Sequence, residues 1–130
     1  MSEITTNFGE NAGKLWAILN QNGCLKKDDI LEVTKLNEKD FFSAIGWLAR
    51  ENKVSRQDDE CFKLDNTNMG HEIGTHAGRV WKILDIWEDA DFDSIKKLSD
   101  LDDTQVHSAL GWLAREDKIL IDEKNRIKLK

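Results

Sequence analysis

A chain of 130 residues with 19 Lys+Arg, 25 Asp+Glu, a formal net charge of -6 and 39% hydrophobic residues has the make-up of a folded protein with a heavily ionised surface. That balance disfavours a basic nucleic-acid coat and a disordered tail, and two cysteines are too few for a disulfide-stapled secreted scaffold. At about 150 residues per domain, the length alone suggests one domain.

In chain order, the opening MSEITTNFGE has no basic flank before an apolar run, and no later stretch approaches the ~20 apolar residues that span a bilayer. A cytoplasmic setting is expected, with Cys24 and Cys61 kept reduced and no membrane association. Residues 9–21 place Ala12, Leu15, Trp16, Ile18 and Leu19 on one broad helical face, with Thr5, Thr6 and Asn7 as candidate caps. Trp16 is expected in the core. Gly23 stops this helix, and Cys24–Leu25 allows only a minimal strand. Asp28 and Asp29 start a second helix, in which Ile30 and Val33 face inward and which Leu36 closes. A third helix runs from about Glu38 to Asn52, with Phe41, Ile45, Leu48 and Asn52 in one narrow sector. Val54–Gln57 and Cys61–Leu64 then form a hairpin around the acidic tip Asp58, Asp59 and Glu60. No proline interrupts any of these helices.

The same series then repeats. GENAGKLWAILN from Gly9 returns as GTHAGRVWKILD from Gly74, and AIGWLARENK from Ala44 as ALGWLAREDK from Ala109. The offset is 65 in both cases and holds without a gap from Gly9 to Leu64, with about 20 of 56 positions identical. A duplicated folding unit follows: residues 1–65 and 66–130, joined by a polar linker over about 65–72. The second hairpin comprises Ile119–Asp122, a tip at Glu123–Asn125, and Arg126–Leu129. Each half carries a net charge of -3. The fold class is therefore mainly α with small β-hairpins, in two tandem units of helix, strand, two helices and a wing.

The paired IGWLARENK and LGWLAREDK signatures, each running from a third helix into a wing strand, resemble a small prokaryotic winged helix-turn-helix family catalogued as a domain of unknown function. The resemblance covers each unit almost end to end. It implies the winged-helix fold and suggests nucleic-acid binding, with the third helix in the major groove and the hairpin along the backbone. The residues placed to contact DNA would be Lys39, Arg50, Arg115, Lys124, Arg126 and Lys128. Charge argues against that role, because phosphate neutralisation supplies most of the affinity. The first wing tip is acidic, and from Asp85 to Asp103 eight acids oppose only Lys96 and Lys97. Those acids also suit plain roles as helix caps and dipole partners. Alternating cations at Lys124, Arg126, Lys128 and Lys130 suit either phosphate contact or protection of a strand edge.

Trp47 and Trp112 fall about 160° from the centre of the apolar sector of the third helix, beside Gly46 and Gly111. A large ring next to a residue without a side chain marks an interface, either with another chain or between the two units across a pseudo-twofold axis. The competing reading folds each ring back over its own first helix or wing. His71, His76 and His107 lack metal-ligand spacing, and no phosphate loop or positioned nucleophile is visible, so neither a metal, a cofactor nor a small-molecule substrate is expected. His107 stands where the first copy has Phe42 and reads as a partly buried structural residue. Cys24 and Cys61 correspond to Asp89 and Arg126, which suggests cross-strand contact at both places. The expected function is a non-catalytic regulatory binding module, with protein–protein association or self-association through the third-helix faces slightly favoured over DNA binding through the third helices and wings.

Overall fold

The computed structural model describes residues 3–58 and 60–130, with side chains from Asn7 onward. Asp59, expected at the first wing tip, lies outside the described residues. The first half runs α1 (Glu3–Asn22), β1 (Leu25–Lys26), α2 (Lys27–Thr34), α3 (Glu38–Arg50), β2 (Val54–Arg56) and β3 (Cys61–Leu64). The second repeats it as α4 (Gly70–Trp87), β4 (Asp89–Ala90), α5 (Phe92–Ser99), α6 (Asp103–Arg115), β5 (Ile119–Ile121) and β6 (Ile127–Leu129). Each half has an antiparallel sheet of three strands, ordered β1-β3-β2 and β4-β6-β5, so the short strand after the first helix borders the second wing strand, which lies at the centre of the sheet.

Local chemistry sets the boundaries. Asn37 accepts a hydrogen bond from the Asp40 amide at 2.8 Å to open α3, and Asp102 forms a reciprocal capping box with Gln105 to open α6. Asp91 caps α5 by accepting from the Ser94 amide at 2.8 Å, which holds its carboxyl below the usual range. Left-handed residues Lys35 and Asp100 end α2 and α5, and Asn52 and Asp117 turn the chain out of α3 and α6 toward the wings. Asn52 is thus outside the apolar sector where its spacing had placed it. Its carboxamide accepts from the Thr67 amide at 2.8 Å, and Asn68 brackets the Arg56 backbone at 3.0 and 2.7 Å, pinning the connection to the first wing.

Two cores form, and the first helices exchange residues between them. Leu15, Leu19, Ile30, Phe41, Ile45, Leu48, Val54 and Phe62 fill the first core, which also takes Met69 and Ile73 from α4. Val80, Leu84, Ile95, Val106, Leu110, Leu113, Ile119 and Ile127 fill the second, which takes Phe8 from α1. Phe8 and Ile73 occupy equivalent positions, so the exchange is reciprocal. It also explains two departures from expectation. α1 begins at Glu3, leaving Thr5, Thr6 and Asn7 inside the helix and not at its cap, and α4 begins at Gly70, within the stretch expected as linker. Each helix extends upstream because its added turn buries an apolar residue in the neighbouring core. Trp16 departs as well: the buried stripe of α1 is Phe8, Ala12, Leu15 and Leu19, and Trp16, one step round from Leu15, is 41% exposed.

Candidate functional site

The third helices do not project into solvent. α3 and α6 cross face to face with their backbones in contact at Gly46 and Gly111. A Cβ on Gly46 would lie 2.8 Å from the carbonyl carbon of Ser108 and nearer still to its oxygen, and one on Gly111 would meet Ser43 identically. Ser43, Gly46, Ser108 and Gly111 are all buried. Only glycine permits that approach.

Trp47 and Trp112 flank the crossing, half-buried and packed against both cores. Each indole lies over its own first helix, where a Cβ on Gly9 would sit 3.1 Å from Trp47 and one on Gly74 3.2 Å from Trp112. Its other side meets the opposite unit: the Arg115 guanidinium is 5.8 Å from the Trp47 ring centre and that of Arg50 is 5.6 Å from Trp112. Each ring therefore does both things the sequence left open, lying on its own first helix and joining the two units. The contact needs no second chain.

The cations considered for DNA are unequally placed. Arg50 pairs with Glu116 at 3.1 Å and Arg115 with Glu51 at 2.9 Å, both across the unit boundary, while Lys53 and Lys118 approach the same carboxylates at 3.8 and 3.5 Å. This network at the C-terminal ends of α3 and α6 borders an open cleft of about 520 Å³. The sequence hid the glutamates' role; their retention in both copies beside the arginines was the available signal. Lys39 is exposed in the first turn of α3 and faces His107 electrostatically. On the second wing, Arg126 is held by Asp89 at 2.6 Å and Asp91 at 3.8 Å, and Lys130 pairs with Asp117. Lys124 and Lys128 have no ion pair among the described residues. Asp103, at the end of the acidic stretch that argued against DNA, is bound to Lys96 at 2.7 Å, which lowers its carboxyl below the ordinary range.

Cys24 and Cys61 are joined in a disulfide with Cα atoms 5.5 Å apart, contrary to the reduced pair expected for a cytoplasmic chain. The β1–β3 ladder brings Cys61 opposite Lys26, diagonal to Cys24, within bonding reach. The equivalent place in the second unit holds the Asp89–Arg126 ion pair. His107 stacks on Phe92 with ring centres 4.3 Å apart, and its Nδ1 is buried without a hydrogen-bond partner. Burial, and secondarily Lys39, pushes its pKa down.

Each half thus has a three-helix core, a short strand after the first helix, and a terminal hairpin that completes the sheet. That arrangement defines a tandem winged helix-turn-helix protein. Residues 1–63 and 67–129 each match the winged helix-turn-helix domain family DUF2582, and the chain belongs to that family. It is also similar to the uncharacterized protein MJ1608 of Methanocaldococcus jannaschii, 37% identical over an aligned length of 68 residues that covers 48% of this chain and 97% of that protein. The relative is therefore about the size of one unit. No solved structure matches the chain significantly. Among the described residues no helix is long and apolar enough to cross a membrane, and no cluster of three His, Cys, Asp or Glu is placed to hold a metal ion.

Proposed function

We propose that the chain is a non-catalytic regulatory module that binds another protein, with residues 1–65 and 66–130 as its two winged-helix units and with Trp47, Trp112, Gly46 and Gly111 as the clasp between them. The observation that carries this reading is the crossing of α3 and α6. The helix faces that would enter a major groove in the winged-helix design are closed against each other. The net charge of -6 supports it further, since a duplex would meet an acidic surface. A fluorescent random 30-base-pair duplex titrated with the full chain at about 50 mM salt is the test. No saturable binding is expected. Saturable binding that weakens with a slope of about -0.9 per contacted phosphate would refute the proposal.

A second reading, DNA contact by the wings and the outer ends of the third helices, is supported by Lys124 and Lys128. If it held, Lys124→Ala plus Lys128→Ala would reduce the salt slope by about 2 in the same titration.

A further inference from the structure

The two units share a fold but differ sharply at one place. The last turn of α4 carries Ile86 and Trp87, 75% and 58% exposed, and Leu98 of α5 is 48% exposed. Trp87, Ala90, Ser94, Lys97, Leu98 and Arg126 line a mostly apolar groove of about 330 Å³. At the positions of Ile86 and Trp87 the first unit has Gln21 and Asn22. The fold is therefore complete without large apolar residues there, and exposing them to water has no structural return.

The charges around this groove changed together with it. Asp85, Glu88, Asp89 and Asp91 stand where the first unit has Asn20, Gly23, Cys24 and Lys26. All four acids lie within four residues of Trp87 in sequence, and Asp89 lines the groove itself together with Lys97 and an Arg126 already held by Asp89 and Asp91. They crowd the C-terminal end of α4, where the last turn has no basic residue and the helix dipole is itself negative. Both charges and dipole favour a cation. Glu88 makes the point again: it holds φ 69° and ψ -52°, in the left-handed half of the map, where its counterpart is Gly23 at φ 73°. A bulky acid has been kept at a position whose backbone suits glycine.

Resting on the reading of the chain as a protein-binding module, we propose that this groove docks a basic amphipathic helix of a partner protein. Its apolar side chains would sit against Trp87 and Leu98, and its Lys or Arg residues would meet the acidic C-terminal end of α4 at Glu88 and Asp89 and cover the Trp87 ring. A second copy of this chain is a poor occupant groove to groove, since the acidic ends of the two α4 helices would repel each other.

The probe is a labelled 18-residue amphipathic Lys/Leu helix, with a Glu/Leu twin of the same apolar face, titrated by anisotropy with the full chain. Three forms are compared: the unaltered protein, Ile86→Gln with Trp87→Asn, and Glu88→Gly. These residues are the ones the first unit already accommodates, and circular dichroism confirms folding. The expected result is binding of the Lys/Leu helix, at least tenfold weaker in the double variant and about threefold weaker in Glu88→Gly, with the Glu/Leu twin bound at least tenfold more weakly. Glu88→Gly should also raise the melting temperature, which a merely damaged fold would not do. Equal binding by all three forms, equal binding of the twin, or a doubling of mass that the double variant abolishes would overturn the groove assignment. A duplex run in parallel separates the two readings: its capture would refute the protein-binding function, whereas failure of both probes would overturn the groove alone.

Discussion

Replacing Gly46 by alanine sets two opposed effects against each other. Within a helix, alanine is favoured over glycine by about 1 kcal/mol where there is room for its methyl group. Gly13 in α1 and Gly78 in α4 have that room, with nothing within 4 Å of an added Cβ, so Gly13→Ala should stabilise the protein by roughly 0.5–1 kcal/mol. At Gly46 the same methyl group meets the Ser108 backbone, 2.8 Å from its carbon and 3.0 Å from its Cα, where ordinary contact begins at 3.4 Å. The obstacle is a helix backbone with no flexible end to swing aside. The Ser108 carbonyl oxygen lies closer still, so α3 and α6 must separate by about an ångström or more, and a gap of 0.5–1 Å already forfeits about a quarter to a half of each dispersion contact it opens. Overpacking of this kind costs about 1–3 kcal/mol, and a backbone obstacle at this distance selects the upper end, leaving a net loss of roughly 2 kcal/mol after the gain in helix propensity. Gly111→Ala should match it. The double variant should lose less than the sum, because one separation relieves both clashes. Urea unfolding followed by circular dichroism measures each change from the midpoint and slope. If Gly46→Ala proves as stabilising as Gly13→Ala, the backbones do not touch and the third helices are available to other partners.

Reduction of the Cys24–Cys61 bridge releases a loop of sequence separation 37 and should lower stability by about 2–4 kcal/mol. Urea midpoints with and without dithiothreitol check this, and a Cys24→Ser variant should be unmoved by the reductant; an unmoved wild type would show that the bridge does not form. For His107, the folded state resists protonation while the unfolded chain takes up a proton near pH 6.5. The unfolded state therefore binds more protons below that point, and the stability His107 contributes is intact above pH 6.5 and falls as pH drops toward the lowered folded value. His107→Phe, which installs the counterpart of Phe42, should flatten the stability profile between pH 7.5 and 5; an unchanged slope would refute the assignment.

The architecture was readable in the sequence because duplication supplies a second copy of every signal. Buried positions keep their apolar character at an offset of 65, so helices, short strands and wings could be placed from spacing alone. The site was only half readable. Trp47, Trp112 and their neighbouring glycines could be singled out, since a ring opposite the apolar sector breaks helical patterning. That the two faces close on each other depends on the crossing of α3 and α6, a tertiary relation that periodicity does not contain. Phe8 was obscured for the same reason, since its buried partners belong to the other unit. Trp16 misled because a broad apolar face does not say which residue sits at its edge. The cysteines misled because an argument from compartment was set above a strand pairing that brought them together.

The short tether held by Asn52 and Asn68 has a consequence for stoichiometry. Two identical single-unit chains joined through the same crossing would display every surface twice, and any change in one would appear in the other. Covalent linkage also removes the dependence of the pairing on protein concentration. One half was then free to alter its outer face while the shared seam stayed constant. The groove beside Trp87 is accordingly shown once per molecule, so the chain should titrate its partner one to one.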